Sequence, residues 1–140
     1  MFDNDNFIEF IDKTGNNKIG FGDFNQEYFE SPIFLSTKMD LNIGGFKKED
    51  VLDIELLDLK LLKENLKKLI NNDLKNVNFV NIDSYFNIYI TSNDFQEVKI
   101  KGNIKDKENI CDLKFEFSTD LSSITMMIEK LARIENRYTK

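Results

Sequence analysis

The stretch Ile33–Ile43 reads IFLSTKMDLNI, and a few residues later Leu52–Ile70 reads LDIELLDLKLLKENLKKLI. In the first, Ile33, Leu35, Met39, Leu41 and Ile43 share one parity, with Thr37 among them, while Ser36, Lys38, Asp40 and Asn42 take the other. Successive side chains of a strand point to opposite faces, so period two predicts a strand with one face in the core and one in water. Gly44-Gly45 ends it, and Lys47 to Asp50 reads as a solvated turn. Leu52, Ile54 and Leu56 then alternate with Asp53 and Glu55, a second half-buried strand. Beyond that the period changes. Leu59, Leu62, Leu66, Leu69 and Ile70 recur at three- and four-residue steps, with Lys60, Lys63, Glu64, Lys67 and Lys68 between them. That spacing predicts an amphipathic helix, with Asp58 as its expected N-cap and Asn71, Asn72 and Asp73 as its stop.

Working outward, Phe7 to Ile11 fits a strand returning through the polar turn Lys13–Lys18 to Ile19–Phe21. It fits equally the face of a short helix carrying Phe7, Phe10 and Ile11. Downstream, Phe86, Ile88 and Ile90 alternate with polar partners, with room for a short strand at Val77 to Phe79 before them. Val98, Ile100, Gly102 and Ile104, then Cys111, Leu113, Phe115 and Phe117, repeat the alternation. Short connections favour antiparallel neighbours over crossovers. The chain closes on Leu121, Ile124, Met127, Ile128, Leu131 and Ile134, the stripe of a helix over 121–137 capped by Thr119 or Asp120. The expected fold is α+β: one antiparallel sheet of about six strands, with two amphipathic helices packed on one face. No composition break marks a linker, so residues 1–140 are expected to form a single domain.

Composition narrows the chemistry. There is no His, no Trp and one Cys, which removes histidine general bases, Cys-His nucleophiles and zinc sites of His or several Cys. Asp and Glu total 25 against 19 Lys and Arg, a formal charge of −6. A broad nucleic-acid surface wants the opposite balance, because its affinity comes from cations facing phosphates. No apolar run approaches the length of a membrane span, and the acidic opening Met1 to Asp5 lacks the positive start of a signal peptide. These features predict a cytoplasmic protein that binds neither nucleic acid nor membrane and needs no cofactor.

Several motifs have a chemical reading and a plainer one. Asp12, Thr14, Asn16 and Asp23 have the oxygen spacing of a calcium loop, with Ile19 at its hydrophobic position. Asn17 stands where that loop needs glycine and Asp23 where it needs glutamate, so a polar turn between strands is the better account. The glycines at 20, 22, 44 and 45 match neither a dinucleotide fingerprint nor a phosphate loop. Asp53 with Glu55, and Asp112 with Glu116, lie on outward faces that do not supply the desolvation a catalytic acid needs. Cys111 shares the core parity of Leu113 and reads as a small buried hydrophobe. Aromatics beside acids are more telling: Tyr28 and Phe29 lie between Glu27 and Glu30, and Tyr85 and Phe86 follow Asp83. Tyrosine offers contact area with one polar handle, which suits a protein interface.

The order of these pieces resembles WapI-type immunity proteins of bacterial polymorphic toxin systems. The resemblance rests on Tyr28-Phe-Glu-Ser-Pro-Ile-Phe-Leu35, the strand ending in Gly44-Gly45-Phe46, and the leucine helix from Asp58 to Leu69. It continues through Val77 to Phe79, Ser84 to Ile90, Val98 to Gly102, Leu113 to Phe117 and the closing helix after Asp120, spanning roughly residues 19 to 137. The family commonly carries Trp near the positions of Phe29 and Phe86, where this chain has none. The resemblance implies a non-enzymatic protein that neutralises a cognate toxin by binding it, with no catalytic residues, cofactor or metal to carry over. Tyr28, Asp40, Asp53, Asp83 and Tyr85 are the expected contacts, the acids steering a basic toxin surface and the tyrosines adding short-range affinity. A general interaction domain, and a small carboxylate- or metal-dependent hydrolase, are the competing expectations.

Overall fold

In the computed structural model, which describes residues 6–26, 30–81, 85–93, 97–105 and 112–138, the two periodicities become strands and helices. In chain order they are β1 (Phe7–Ile11), β2 (Lys18–Gln26), β3 (Phe34–Ile43), β4 (Phe46–Glu55), α1 (Leu56–Ile70), β5 (Asn76–Val80), β6 (Phe86–Ser92), β7 (Val98–Lys105), β8 (Asp112–Thr119) and α2 (Leu121–Tyr138). The strands form two antiparallel four-stranded sheets, β1-β2-β3-β4 and β5-β6-β7-β8. Each is a meander followed by a helix, so the chain passes through one ββββα unit twice. The α+β class stands, but the single sheet of about six strands is corrected to two sheets. Alternation marks which face of a strand is buried, not which sheet it joins, and α1 carries the chain from β4 into a new sheet.

The opening is a strand. β1 pairs with β2 from Phe7↔Gly22 to Ile11↔Lys18, burying Ile8 and Phe10 on one face and leaving Phe7 and Ile11 on the other. Between them the Asp12 carboxylate accepts from the Thr14 hydroxyl at 2.9 Å, the Asn16 amide at 3.0 Å and the Asn17 side-chain amide at 2.7 Å. Slight burial acts to raise the Asp12 pKa, but the hydrogen bonds from Asn17, Thr14 and Gly15 outweigh it and hold the carboxyl below its ordinary value. The stretch from Asp12 to Asp23 is thus a turn running into a strand, with the Asp12 oxygens committed to the turn. The side-chain oxygen of Asn17 also accepts from the Gly44 amide at 2.8 Å, tying this turn to the next one.

That next turn is tighter than the sequence suggested. Ile43 pairs with Phe46, and Gly44 and Gly45 have φ of 58° and 84°, the left-handed pair that a two-residue hairpin requires. Lys47 to Asp50, expected as a solvated turn, are instead the first half of β4, paired from Asn42 back to Met39. Charge signals a loop, yet these residues continue the β3–β4 ladder up to the two-glycine turn. In β2, a bulge between Gly22 and Asn25 places Asp23 at φ 51° and frees the Gly22 carbonyl. Thr37, the polar member of an apolar parity, donates its hydroxyl to that carbonyl at 2.8 Å.

The two sheets meet through aromatic rings. Across the sheets Phe21 and Phe86 lie 4.9 Å apart, Phe21 and Phe79 5.9 Å, and Phe10 reaches Phe79 at 6.4 Å. Each ring removed from water contributes about 1.5–3 kcal/mol relative to exposure. Leu59, Leu62, Leu66 and Leu69 of α1 and Ile124, Met127, Leu131 and Ile134 of α2 join the same core. The helices pack on each other, and Lys63 of α1 makes an ion pair with Glu135 of α2. That bond to Glu135 raises the Lys63 pKa against the opposing effect of burial. α2 also runs beside β1: the Lys130 ammonium sits 3.7 Å from the Phe7 ring centroid, and the Tyr138 hydroxyl donates to the Phe24 carbonyl at 2.7 Å.

The helix starts differ. α2 has the expected cap, the Asp120 carboxylate accepting from the Ser123 amide at 2.9 Å and the Ser122 hydroxyl at 2.8 Å. α1 does not. Asp58, expected as its cap, lies inside the first turn; the N-cap is Glu55, whose side chain makes no capping bond. Strand runs directly into helix at Glu55, and the Leu56 amide donates to the Ile33 carbonyl at 2.8 Å. Leu56, expected at the end of a strand, is therefore the first helical residue. Cys111 lies outside the described residues.

Candidate functional site

Strand pairing decides which side chains share a surface. Residues directly opposite in an antiparallel pair point the same way, so the outer face of the first sheet is read from its register. Asp40 of β3 stands between Gly20 of β2 and Glu49 of β4, with Glu9 of β1 next in that row. Asp53 of β4 stands opposite Ser36. Glu55, two residues on, is opposite Phe34. Asp40, Glu49, Asp53 and Glu55 therefore share one face with the lysines Lys18, Lys38 and Lys47, and the Lys38 ammonium lies 3.5 Å from Glu49. That pair is exposed and contributes little to stability. Asp40, Asp53 and Glu55 have no ion pair among the described residues.

The other expected contacts fall elsewhere. Tyr85 precedes β6 in the second sheet, where it is half-buried against the core and its carbonyl accepts from the Lys105 amide at 2.7 Å. It does not adjoin Asp40 and Asp53 in the strand order. Tyr28 and Asp83 lie outside the described residues. Asp112 and Glu116 are exposed on the outer face of β8, Asp112 accepting from the Asn103 side chain at 3.0 Å.

A groove that no motif announced opens where β4 becomes α1. It has a volume of about 210 Å³ and is lined by Ser31, Pro32, Ile33, Glu55, Leu56, Leu57 and Lys60. Leu57 is 53% exposed, and Leu61, one helical turn on, is 50% exposed. The signal was present in the sequence: both leucines fall off the stripe of Leu59, Leu62, Leu66 and Leu69, at positions where a surface helix carries polar residues. Asp58, beside Leu57, is held above its ordinary pKa by partial burial and by the neighbouring Glu55 carboxylate.

The second sheet presents a different outer face. Tyr89, 44% exposed, is flanked in register by Asn78 and Lys101, with Glu116 beyond. Lys99 and Lys114 extend the same surface.

Comparison with known proteins adds the following. The structure described as "Crystal structures of trypanosoma bruciei MRP1/MRP2" superposes with a TM-score of 0.51 at 8% identity, over 95% of this chain and 84% of that one. At that identity the likeness concerns the fold alone. No curated protein matches the sequence. No helix among the described residues is long and apolar enough to cross a membrane. The family model described as "Immunity protein WapI-like family" matches residues 19–139, from β2 to the end of α2 with β1 outside it, and the chain belongs to that family.

Proposed function

We propose that this protein neutralises a cognate bacterial toxin by stoichiometric occlusion. The observation that carries the reading is the family match over residues 19–139, since an immunity protein implies a toxin partner. The arrangement of charge supports the mode of binding. Asp40, Asp53, Glu49 and Glu55 on one sheet face, in a chain of net charge −6, set up a field that attracts a basic toxin surface. Tyr28, Asp83 and Tyr85 belong to the same proposed contact set. The whole chain acts as one cytoplasmic domain without enzymatic activity, and neither nucleic acid nor membrane is its target.

The test is a titration of toxin activity against increasing amounts of this protein, paired with association and dissociation rates at two salt concentrations. Activity should fall linearly to zero near equimolar protein. Salt should slow association more than it speeds dissociation, because screening shortens the approach field to roughly 10 Å at 0.1 M. Inhibition at strongly substoichiometric amounts overturns occlusion, and a salt-independent association rate removes the role given to the acidic face.

A further inference from the structure

The groove between Pro32 and α1 combines features that the acidic face lacks. It is concave, its wall continues along the helix as Leu57 and Leu61, and those leucines are half exposed without belonging to the core stripe. Binding energy at interfaces concentrates in apolar anchors that fill pockets, whereas exposed charges chiefly set the rate of approach. Glu55 lines the groove and also ends the acidic row that includes Asp53, so the two surfaces are continuous. Its neighbour Asp58 is partly buried, and neither carboxylate has a cation within ion-pair distance among the described residues. Lys60 is the cation of the lining. The complement of such a site is an aliphatic side chain beside a guanidinium or ammonium group.

We infer that the groove formed by Pro32, Ile33, Glu55 and Leu57, extended by Leu61, is the anchoring pocket for a basic-apolar segment of the toxin, a leucine-like side chain next to an arginine. The inference rests on the toxin-binding reading for its partner, but the pocket's chemistry can be examined without the toxin. The aliphatic group occupies the space against Pro32 and Leu57, and the cation meets Glu55, the carboxylate of the lining. Steering by Asp40 and Asp53 then delivers the segment to a site at the border of the same face.

The experiment is an amide-shift titration of the full chain with two small probes, N-acetyl-leucyl-arginine amide and N-acetyl-leucyl-glutamate amide. The basic probe should perturb residues 31–33 and 55–61, and bind about tenfold more tightly than the acidic one. Leu57→Gln with Leu61→Gln should abolish those shifts; both side chains are exposed and glutamine is a good helix former, so the fold is kept. Glu55→Gln should erase the preference for the basic probe. Absence of shifts at the groove, or equal binding of the two probes, overturns the inference. In parallel, the double variant should bind the toxin about tenfold or more weakly than the unsubstituted protein; unchanged affinity also overturns it. Groove binding of the basic probe by a chain that fails to bind the toxin would instead sink the proposed function and leave the pocket standing.

Discussion

The two ββββα units share an order of elements and little else. In the first, β3 and β4 are ten-residue arms joined by two glycines, and the outer face carries Asp40, Glu49, Asp53 and Glu55. In the second, the strands are five to eight residues long, and the outer face sets Tyr89 among Lys99, Lys101 and Lys114, with Asp112 and Glu116 beside them. The helices diverge at their starts: α2 is capped by Asp120, whereas α1 starts without a side-chain cap and leaves Leu57 in water in its first turn and Leu61 one turn on, while α2 exposes Met126 alone of its large apolar residues. Repetition of topology is a solution to burying apolar faces; what each unit offers a partner is written on the surfaces that packing leaves free. The unit with the longer arms and the less regular helix carries Asp40, Asp53 and the groove, whereas Tyr85 stands beside the second sheet.

The sharpest way to break the contrast is to ask whether the units fold apart. Phe86 belongs to the second sheet but touches Phe21 of the first, and it is fully buried. Phe86→Ala should cost about 3–5 kcal/mol, and calorimetry should still show one transition. Two separated transitions would mean that the units are independent and that the shared core holds them only loosely.

Within the second sheet, Gly102 of β7 stands where its neighbours leave no room for a side chain. A Cβ there would lie 2.2 Å from the Asn87 carbonyl oxygen and 3.1 Å from the Phe115 ring. Gly102→Ala should therefore destabilise by about 1–3 kcal/mol in denaturant titration, the range for forcing atoms into a filled core. A loss too small to measure would show that β6 and β7 can part at no cost.

The smallest effects compare the two helix starts. Asp120→Ala should cost about 1 kcal/mol, the usual value of an N-cap, while Glu55→Gln should change stability by less than about 0.5 kcal/mol. Acid titration should separate them by sign. The Ser123 and Ser122 hydrogen bonds hold the Asp120 pKa below its ordinary 3.8, so its stabilisation is present above that value and is lost as pH falls through the lower folded-state pKa. Asp58, pushed above 3.8 by burial and Glu55, behaves oppositely: its contribution is most favourable below that value and is lost as pH rises through the folded-state pKa. Asp120→Asn should flatten the acid limb of a stability-versus-pH curve, and Asp58→Asn should raise stability at neutral pH. A parallel response of the two variants would contradict the difference in their surroundings.

Much of this was readable from residue order, and the gaps have physical causes. Alternation in Ile33–Ile43 located β3, and the three-four spacing from Leu59 and from Leu121 located both helices, because burying one face imposes a period on sequence. The partition into two sheets was not readable, since a strand's pattern is the same whichever sheet it joins. Lys47 to Asp50 were misjudged because charge is a sign of exposure, and β4 is exposed without being a loop. Asp58 has the right chemistry for a cap, but direct passage of β4 into α1 moved the helix start forward to Leu56. For the candidate site, the parity of Asp40 and Asp53 implied outward positions, and register places them on one face. Tyr85 shows the limit: its neighbours in space come from pairing with Lys105, which local sequence does not encode. Leu57 and Leu61 were visible as misfits to the stripe, but only the packing of Pro32 and Ile33 beside them makes a groove.

Lys47 to Asp50 have one more consequence. β4 ends the first sheet, and among the described residues no strand pairs with its far side. Along its ten residues, the alternate amides and carbonyls that turn away from β3 are a template on which another chain can add a strand and begin an aggregate. Lys48 and Asp50 point to the same side as Leu41 and Met39, and their side chains form an ion pair at 3.5 Å. A strand docking there would have to pack against these inward charges, and Lys47 and Glu49 place charge on the opposite side. This run acts as a gatekeeper against the indiscriminate pairing that such edges invite.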